Sequence, residues 1–219
     1  MLDFEDLLAR LQDGQKVGAL DPAWWRNLSV AGVDEVGIGP LAGPVVAAAV
    51  VLPETVEIAH LRDSKATTLK QRERASEAIR DNAVDFAIGL ASEAEIDELN
   101  ILRASHLAMQ RAVAGLRALP DLALIDGNKI PKLGCPAAAI INGDQRVGAI
   151  SAASIVAKVY RDNLMLEADQ QFPNYGFAGH KGYPTAKHLA ALRTHGPCRL
   201  HRRSFAPVRR LLENGKSIT

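Results

Sequence analysis

Acidic side chains follow three short apolar segments of this 219-residue chain, each of which is predicted to form a β-strand. Asp34 and Glu35 follow the first segment, Asp126 follows the second, and Asp144 comes shortly after the third. A single acid at a strand end often only forms a turn, because its oxygens bond the nearby backbone. In an open α/β sheet, however, ligands collect outside the carboxyl ends of the strands. The four acids together therefore predict a binding site in which something must neutralise their charge.

A hard divalent cation is the neutralising group that these side chains favour. Aspartate and glutamate oxygens without His or Cys are typical ligands of Mg²⁺ or Mn²⁺, which share their remaining positions with water and substrate phosphate. Two such ions about 4 Å apart can activate a water and stabilise the leaving oxygen of a phosphoryl displacement. Four acids are enough to hold that pair of ions.

The net charge of +1 conceals an uneven distribution of charge along the chain. From Gln170 to Leu212 there is no Asp or Glu, although this stretch holds eight Lys and Arg residues and several aromatic residues. It is either a solvated basic surface or a face for a polyanion, and its length and aromatic residues favour the polyanion. A basic face beside an acidic metal site is the charge layout of a nuclease.

The elements that must position these residues alternate between strands and helices. This order predicts an α/β domain with a mixed sheet and a C-terminal helical extension. The helix over 151–168 is expected to bury Ile155, Val159 and Leu166 on one face, with Arg161 elsewhere. Strands are predicted near 28–33, 45–52, 85–90, 122–125 and 137–141, the first two as a hairpin. Helices are predicted near 2–12, 67–80, 101–119, 151–168 and 185–194, and a capping box of Ser92 and Glu95 opens a further short helix.

A glycine-rich run over residues 37–43 resembles a dinucleotide-binding fingerprint, but Pro40 and Pro44 break the helix that such a site requires. These glycines more plausibly let backbone N–H groups approach a sugar-phosphate chain. No apolar run approaches the length of about 20 residues that a membrane-spanning helix needs, and the acidic N-terminus is unlike a secretory signal. We therefore expect a cytoplasmic monomer that has no contact with a membrane.

Ordered sequence blocks from about residue 30 to residue 210 resemble the ribonuclease HII family. The resemblance implies an RNase H-like fold, with a mixed five-stranded sheet flanked by helices, in a single catalytic domain. Its parts would be an N-terminal helical segment (about 1–28), a core (about 28–170) and a basic C-terminal helical extension (about 171–219). The matching blocks are residues 31–46, 63–65, 125–128, 143–144, 151–159, 175–183 and 201–208.

The resemblance also implies an activity, namely endonucleolytic cleavage of RNA in RNA–DNA hybrids and of single ribonucleotides embedded in duplex DNA. Cleavage in the family occurs 5′ to the ribonucleotide and leaves a 3′-hydroxyl and a 5′-phosphate. Asp34, Glu35, Asp126 and Asp144 match the family's four metal-binding carboxylates, which would hold two Mg²⁺ or Mn²⁺ ions. Two alternatives stay open: a nucleic-acid-binding module without catalysis, and another nuclease of the superfamily that acts on DNA.

Substrate contacts follow from the same matches. The turn at residues 37–39 would sense the 2′-hydroxyl through main-chain groups, since that hydroxyl distinguishes RNA from DNA. Tyr183 would stack on the deoxyribose at the RNA–DNA junction, although an aromatic in this loop could instead cover the core. Ser64 and Lys65 would contact backbone phosphate. The residues assigned to substrate binding are Gly37, Ile38, Gly39, Ser64, Lys65, Asn128 and Tyr183.

Ile38 departs from the family pattern, in which the turn reads Gly-Arg-Gly. Recognition through the backbone would survive the change, because both glycines are present. The missing guanidinium removes a charge-assisted hydrogen bond of about 1–3 kcal/mol. Weaker affinity for the substrate is therefore expected, with less effect on the chemical step.

Overall fold

A computed structural model describes residues 27–53 and 68–215 as a mixed β-sheet flanked by helices, which confirms the predicted α/β class. The predicted helix over residues 2–12 lies outside the described residues. The strands are β1 (Val30–Val36), β2 (Val45–Val51), β3 (Asp85–Ala91), β4 (Leu122–Asp126) and β5 (Ala137–Ile140). The helices are α1 (Leu69–Asn82), α2 (Glu93–Leu99), α3 (Ile101–Ala114), α4 (Gly143–Arg146), α5 (Gly148–Gln171), α6 (Phe177–His180), α7 (Ala186–His195) and α8 (Ala206–Glu213).

The order of strands across the sheet is β3-β2-β1-β4-β5. β1 and β2 form the predicted hairpin and β3 continues it antiparallel, whereas β4 and β5 run parallel to β1. The carboxyl ends of β1, β4 and β5 therefore lie at one edge of the sheet. The register places Val33 beside Ile125, so the acids that follow these two residues come together at that edge.

β2 divides the core between the two faces of the sheet, because neighbouring residues of a strand point to opposite faces. It contains only Val and Ala and is buried along its whole length. Val45, Ala47 and Ala49 pack with α3 on one face. Val46, Ala48 and Val50 pack with α1 and α5 on the other. Asp34 is paired with Ala48 and so belongs to the face covered by α5.

Gly32 allows the start of α5 to lie directly on β1. A Cβ atom at this position would stand 2.1 Å from the backbone carbon of Ala149, a distance that no side chain can tolerate. This close approach brings the first turn of α5, and the short α4 that precedes it, to the edge of the sheet where the acids lie.

The buried face of α5 differs from the predicted one. Ile155 is buried as expected, but Leu166 is 40% exposed and Arg161 is fully buried. The prediction placed the charged residue outside because a guanidinium seldom loses water without a partner. Here it finds three backbone carbonyl partners, two of them between residues 37 and 44.

The C-terminal helices form a second, smaller cluster against the loop that joins β1 to β2. The rings of Tyr175 and Phe177 are buried and stack with centroids 5.4 Å apart. Val208 of α8 is buried with Leu41 of the loop. Within the described ranges, no helix combines the length and apolar character needed to cross a bilayer.

Candidate active site

The four predicted acids lie together at the carboxyl edge of β1 and β4. Asp34 and Glu35 stand inside β1, which runs three residues beyond the predicted end at residue 33, and Asp126 is the last residue of β4. Asp144 lies in the first turn of α4, where its backbone N–H donates to Oδ1 of Asp126 over 3.3 Å. Asp34 and Asp144 are buried, and the other two are partly exposed.

The carboxylates of this group repel one another. Burial, followed by the charge of Asp126, raises the pKa of Asp34 to about 8, although a hydrogen bond from Ser154 opposes the change. Burial and the same Asp126 charge raise the pKa of Glu35 to about 7. The causes of the two shifts include no lysine or arginine of the described residues. As far as the described residues go, the site is therefore short of positive charge.

The donor chemistry of the site fits a hard divalent cation, because the site offers carboxylate oxygens whose mutual repulsion a cation would relieve. In residues 27–53 and 68–215, no three His, Cys, Asp or Glu side chains already form a ligand set around one point. Mg²⁺ does not require such a set, since it usually binds one or two carboxylates and completes its shell with water and substrate phosphate. An arrangement of paired acids open to the edge of the sheet meets that requirement.

The recognition loop, defined here as residues 37–44, leaves β1 directly after the acids. Gly37 has a φ of +95°, and a Cβ atom there would lie 2.3 Å from Nε of Arg161, so only glycine fits. Gly39 is exposed, and a Cβ atom on it would touch only the ring of Tyr183, at 3.5 Å. The structure thus brings Tyr183 beside the turn, with 41% of the residue exposed.

The remaining predicted contacts are placed as follows. Ile38 is 42% exposed at the tip of the recognition loop. Asn128 is exposed two residues after the end of β4, near the acids. Ser64 and Lys65 lie outside the described residues. The roles assigned to these side chains, and to the four acids as ligands, stay predictions.

Comparison with known proteins matches the family model of ribonuclease HII over residues 31–208. This range contains the acids and the recognition loop. The chain belongs to the ribonuclease HII family. It is 60% identical over 183 residues to "Ribonuclease HII 2" of Methylibium petroleiphilum, with 84% of each chain covered. It is 56% identical to the ribonuclease HII of Nitrosococcus oceani, over 84% of this chain and 92% of that one.

A solved structure agrees with this assignment. The ribonuclease H2 of Pyrococcus horikoshii is similar with a TM-score of 0.70 and 29% identity, covering 84% of this chain and 97% of the other. The predicted family is thereby confirmed. As a ribonuclease HII, the chain is a divalent-metal-dependent endonuclease with ribonuclease H activity on RNA–DNA hybrids.

Sequence reasoning missed three residues that shape this ribonuclease HII site. Ser154 of α5 donates to Asp34, and Arg161 and Arg202 bind the carbonyls of the recognition loop. Ser154 and Arg161 lie seven residues apart, two helical turns along α5, so their position on one face of the helix was the available signal. Arg202 had been counted with the basic surface, which is wrong because its side chain is fully buried. The exposed cations of that stretch are Lys187, Arg193, Arg199, Arg203, Arg209 and Arg210.

Proposed function

We propose that this ribonuclease HII cleaves both the RNA of hybrids and single ribonucleotides embedded in duplex DNA, using two Mg²⁺ or Mn²⁺ ions. Cleavage occurs 5′ to the ribonucleotide and leaves a 3′-hydroxyl and a 5′-phosphate. The observation that carries the proposal is a group of four acids without a basic counterpart among the described residues, next to a glycine turn and an exposed tyrosine.

The acids would bind the divalent cations, and the bound cations would in turn bind the phosphate of the substrate. The chemistry that divalent ions supply in such a site is activation of water and stabilisation of the developing charge on the leaving oxygen. Asp34 is fixed by Ser154 and by the N–H of Glu35, which donates to its Oδ1 over 2.7 Å. Asp126 is held by the backbone N–H of Asp144. These bonds orient the carboxylate oxygens before the substrate arrives.

The recognition loop and Tyr183 provide selection of the cleavage position. A turn of glycines lets the sugar come within hydrogen-bond distance of the backbone, where a 2′-hydroxyl can accept from N–H and donate to other groups. Tyr183 stands against Gly39 and offers an apolar ring face to the neighbouring deoxyribose. A ribose followed by a deoxyribose makes both contacts, the 2′-hydroxyl with the turn and the deoxyribose with Tyr183. Two deoxyriboses lack the 2′-hydroxyl and so lose the contact with the turn. The site thus favours a junction over plain DNA.

A nicking assay tests the proposal. The substrate is an end-labelled DNA duplex that contains one ribonucleotide, and the matched control is the same duplex made entirely of DNA. We expect Mg²⁺-dependent cleavage of the first duplex only, which EDTA abolishes, and a 3′ end that a DNA polymerase can extend. Nicking of the all-DNA duplex would favour another nuclease activity of this superfamily.

The Asp126→Asn variant tests the role of the acids in the same assay. It changes volume little and removes the charge that acts on both Asp34 and Glu35. We expect it to bind the ribonucleotide duplex and to lose cleavage. Full Mg²⁺-dependent cleavage by this variant would refute the proposed mechanism.

A further inference from the structure

Two fully buried arginines lie beneath the recognition loop and bond its carbonyl groups. Arg202 donates from Nε to the carbonyl of Gly43 over 2.9 Å, from Nη1 to that of Ile38 over 2.9 Å, and from Nη2 to that of Gly37 over 2.6 Å. Its backbone N–H also donates to the carbonyl of Leu41 over 2.8 Å. One residue thereby holds four carbonyls of the loop.

Arg161 completes this arrangement from α5. Its Nε donates to the carbonyl of Pro44 over 3.0 Å, and its Nη2 donates to that of Ala42 over 3.1 Å. The third bond, from Nη1 over 3.1 Å, goes to the carbonyl of Lys181, close to Tyr183. Arg161 therefore ties the recognition loop to the loop that carries the tyrosine.

The direction of these bonds decides which backbone groups remain for a substrate. With six carbonyls turned inward, the N–H groups of the loop point the opposite way. Those of Leu41 and Gly43 donate to the carbonyls of Gly182 and Leu200. Within the part of the chain that the structure describes, the N–H groups of Ile38 and Gly39 donate to no other group, and both residues are exposed.

Burial lowers the pKa of both guanidiniums. The charges of Glu93 and Asp97 oppose this change at Arg202. Those of Asp162 and Glu93 oppose it at Arg161. Every donor contact described for the two side chains goes to a backbone carbonyl. Burying a cation is costly even when its hydrogen bonds are satisfied and a carboxylate lies nearby.

We propose that Arg161 and Arg202 are positioning residues for ribonucleotide recognition, because they fix the recognition loop with the N–H groups of Ile38 and Gly39 facing the sugar-phosphate chain. This inference rests on the proposed recognition of a 2′-hydroxyl by the turn. The two buried charges lie beneath the same loop and favour the phosphate that approaches it. Arg202 acts on the turn itself, whereas Arg161 sets the turn relative to Tyr183.

The test uses the variants Arg202→Lys and Arg161→Lys. Lysine keeps the charge but has a compact ammonium group that cannot reach three separated carbonyls as the planar guanidinium does. The readouts are kcat and KM for the duplex with one ribonucleotide, and the inhibition constant Ki of the same duplex made entirely of DNA. The ratio of Ki to KM measures discrimination of the ribonucleotide. Loss of stability alone does not change this ratio.

We expect Arg202→Lys to lower kcat/KM about 10²-fold, the size of effect that a displacement of about 1 Å produces at a catalytic site. The Ki to KM ratio should fall toward 1, and less so for Arg161→Lys. Ile79→Ala is the matched control, since it opens a cavity under α1 in a core cluster that contains no residue of the recognition loop. This control should lower the melting temperature and leave the ratio unchanged.

The outcomes separate this inference from the proposed function. If the wild-type enzyme has a ratio near 1, recognition of the ribonucleotide is wrong and the inference falls with it. If the wild type discriminates and folded Arg202→Lys discriminates equally well, only the inference is overturned. If both lysine variants unfold, hydrogen exchange of the backbone amides in the wild-type enzyme tests the inference instead. The amides of Ile38 and Gly39 should be protected by the ribonucleotide duplex and not by the all-DNA duplex, and equal protection would overturn the inference.

Discussion

The Asp34→Asn variant should be more stable than the wild-type enzyme when no metal is present. Asp34 is 6% exposed, and burial and the neighbouring charge of Asp126 raise its pKa to about 8 from an ordinary value of 3.8. An asparagine keeps the size and the acceptor oxygen of the side chain, so it can still accept from the N–H of Glu35. It removes the group whose ionisation the fold opposes.

The direction and size of the effect follow from the two pKa values. Below pH 3.8 the carboxyl is protonated in the folded and the unfolded protein, so its ionisation has no effect on stability. Between that value and about 8 the folded protein holds a proton that the unfolded chain has released, so stability falls as the pH rises. At pH 7 the loss reaches up to about 4 kcal/mol, at about 1.4 kcal/mol per pH unit. The variant avoids this loss.

Thermal and urea unfolding in EDTA at several pH values measure this effect. The stability advantage of Asp34→Asn should be small at pH 4 and should grow up to pH 8, while cleavage is lost at every pH. Asp81→Asn makes the same change at an exposed position in α1 and should show no such growth. Added Mg²⁺ should stabilise the wild type more at pH 8 than at pH 6, because protons compete for the carboxylates. If Asp34→Asn is no more stable than the wild type at pH 8 in EDTA, the conclusion that the fold opposes ionisation of Asp34 is wrong.

Substitutions in the recognition loop separate stability from recognition. Gly37→Ala should cost at least about 1 kcal/mol in an unfolding experiment because its φ of +95° is strained for alanine, whereas Gly39→Ala should keep the melting temperature and raise KM for the one-ribonucleotide duplex. Equal losses of stability in the two variants would contradict this. Ile38→Arg should lower KM about tenfold by adding a charge-assisted bond to phosphate, and an unchanged or higher KM would count against that contact. Tyr183→Ala should reduce cleavage of a single ribonucleotide more than cleavage of a long hybrid, whereas proportional losses with a lower melting temperature would indicate a packing role.

The placement of the acids could be predicted because it depends on local sequence and one topological rule. Each acid follows an apolar segment, and the ends of parallel strands share one edge of the sheet. In the structure β1, β4 and β5 are parallel, and this backbone arrangement alone brings the acids together. The exact end of β1 was missed because Asp34 and Glu35 are poor strand residues, and pairing with β2 extends the strand through them.

The buried arginines could not be predicted in this way. Arg161 and Arg202 bond carbonyls more than 100 residues away in the sequence, so no local pattern shows their partners. Composition counts every arginine as a surface charge, and this rule holds for most of the basic stretch. The role of such a side chain can be recognised only in the folded structure, where the carbonyls of an irregular loop lie next to it. The short α4 was missed for a related reason, since four residues carry no helical periodicity.

In the free enzyme, the acids of the site and the two buried arginines lie next to the same loop without a hydrogen bond between them among the described residues. The causes that raise the pKa of Asp34 and Glu35 include no lysine or arginine, while the guanidiniums of Arg161 and Arg202 donate to loop carbonyls and interact electrostatically with Glu93. Direct pairing of the two groups would stabilise the free protein, but it would remove the negative charge that attracts divalent ions. It would also release the loop carbonyls, which could then turn outward and repel phosphate. Because the acids and the arginines stay apart, divalent cations are free to bind the acids and the nucleic acid is free to bind the loop. A substrate that contacts both the bound cations and the loop strengthens the binding of the cations, and the cations strengthen the binding of the substrate. Metal and substrate should therefore bind with positive cooperativity, and an acid-to-arginine ion pair engineered across the loop should raise the stability of the free protein and lower its affinity for both.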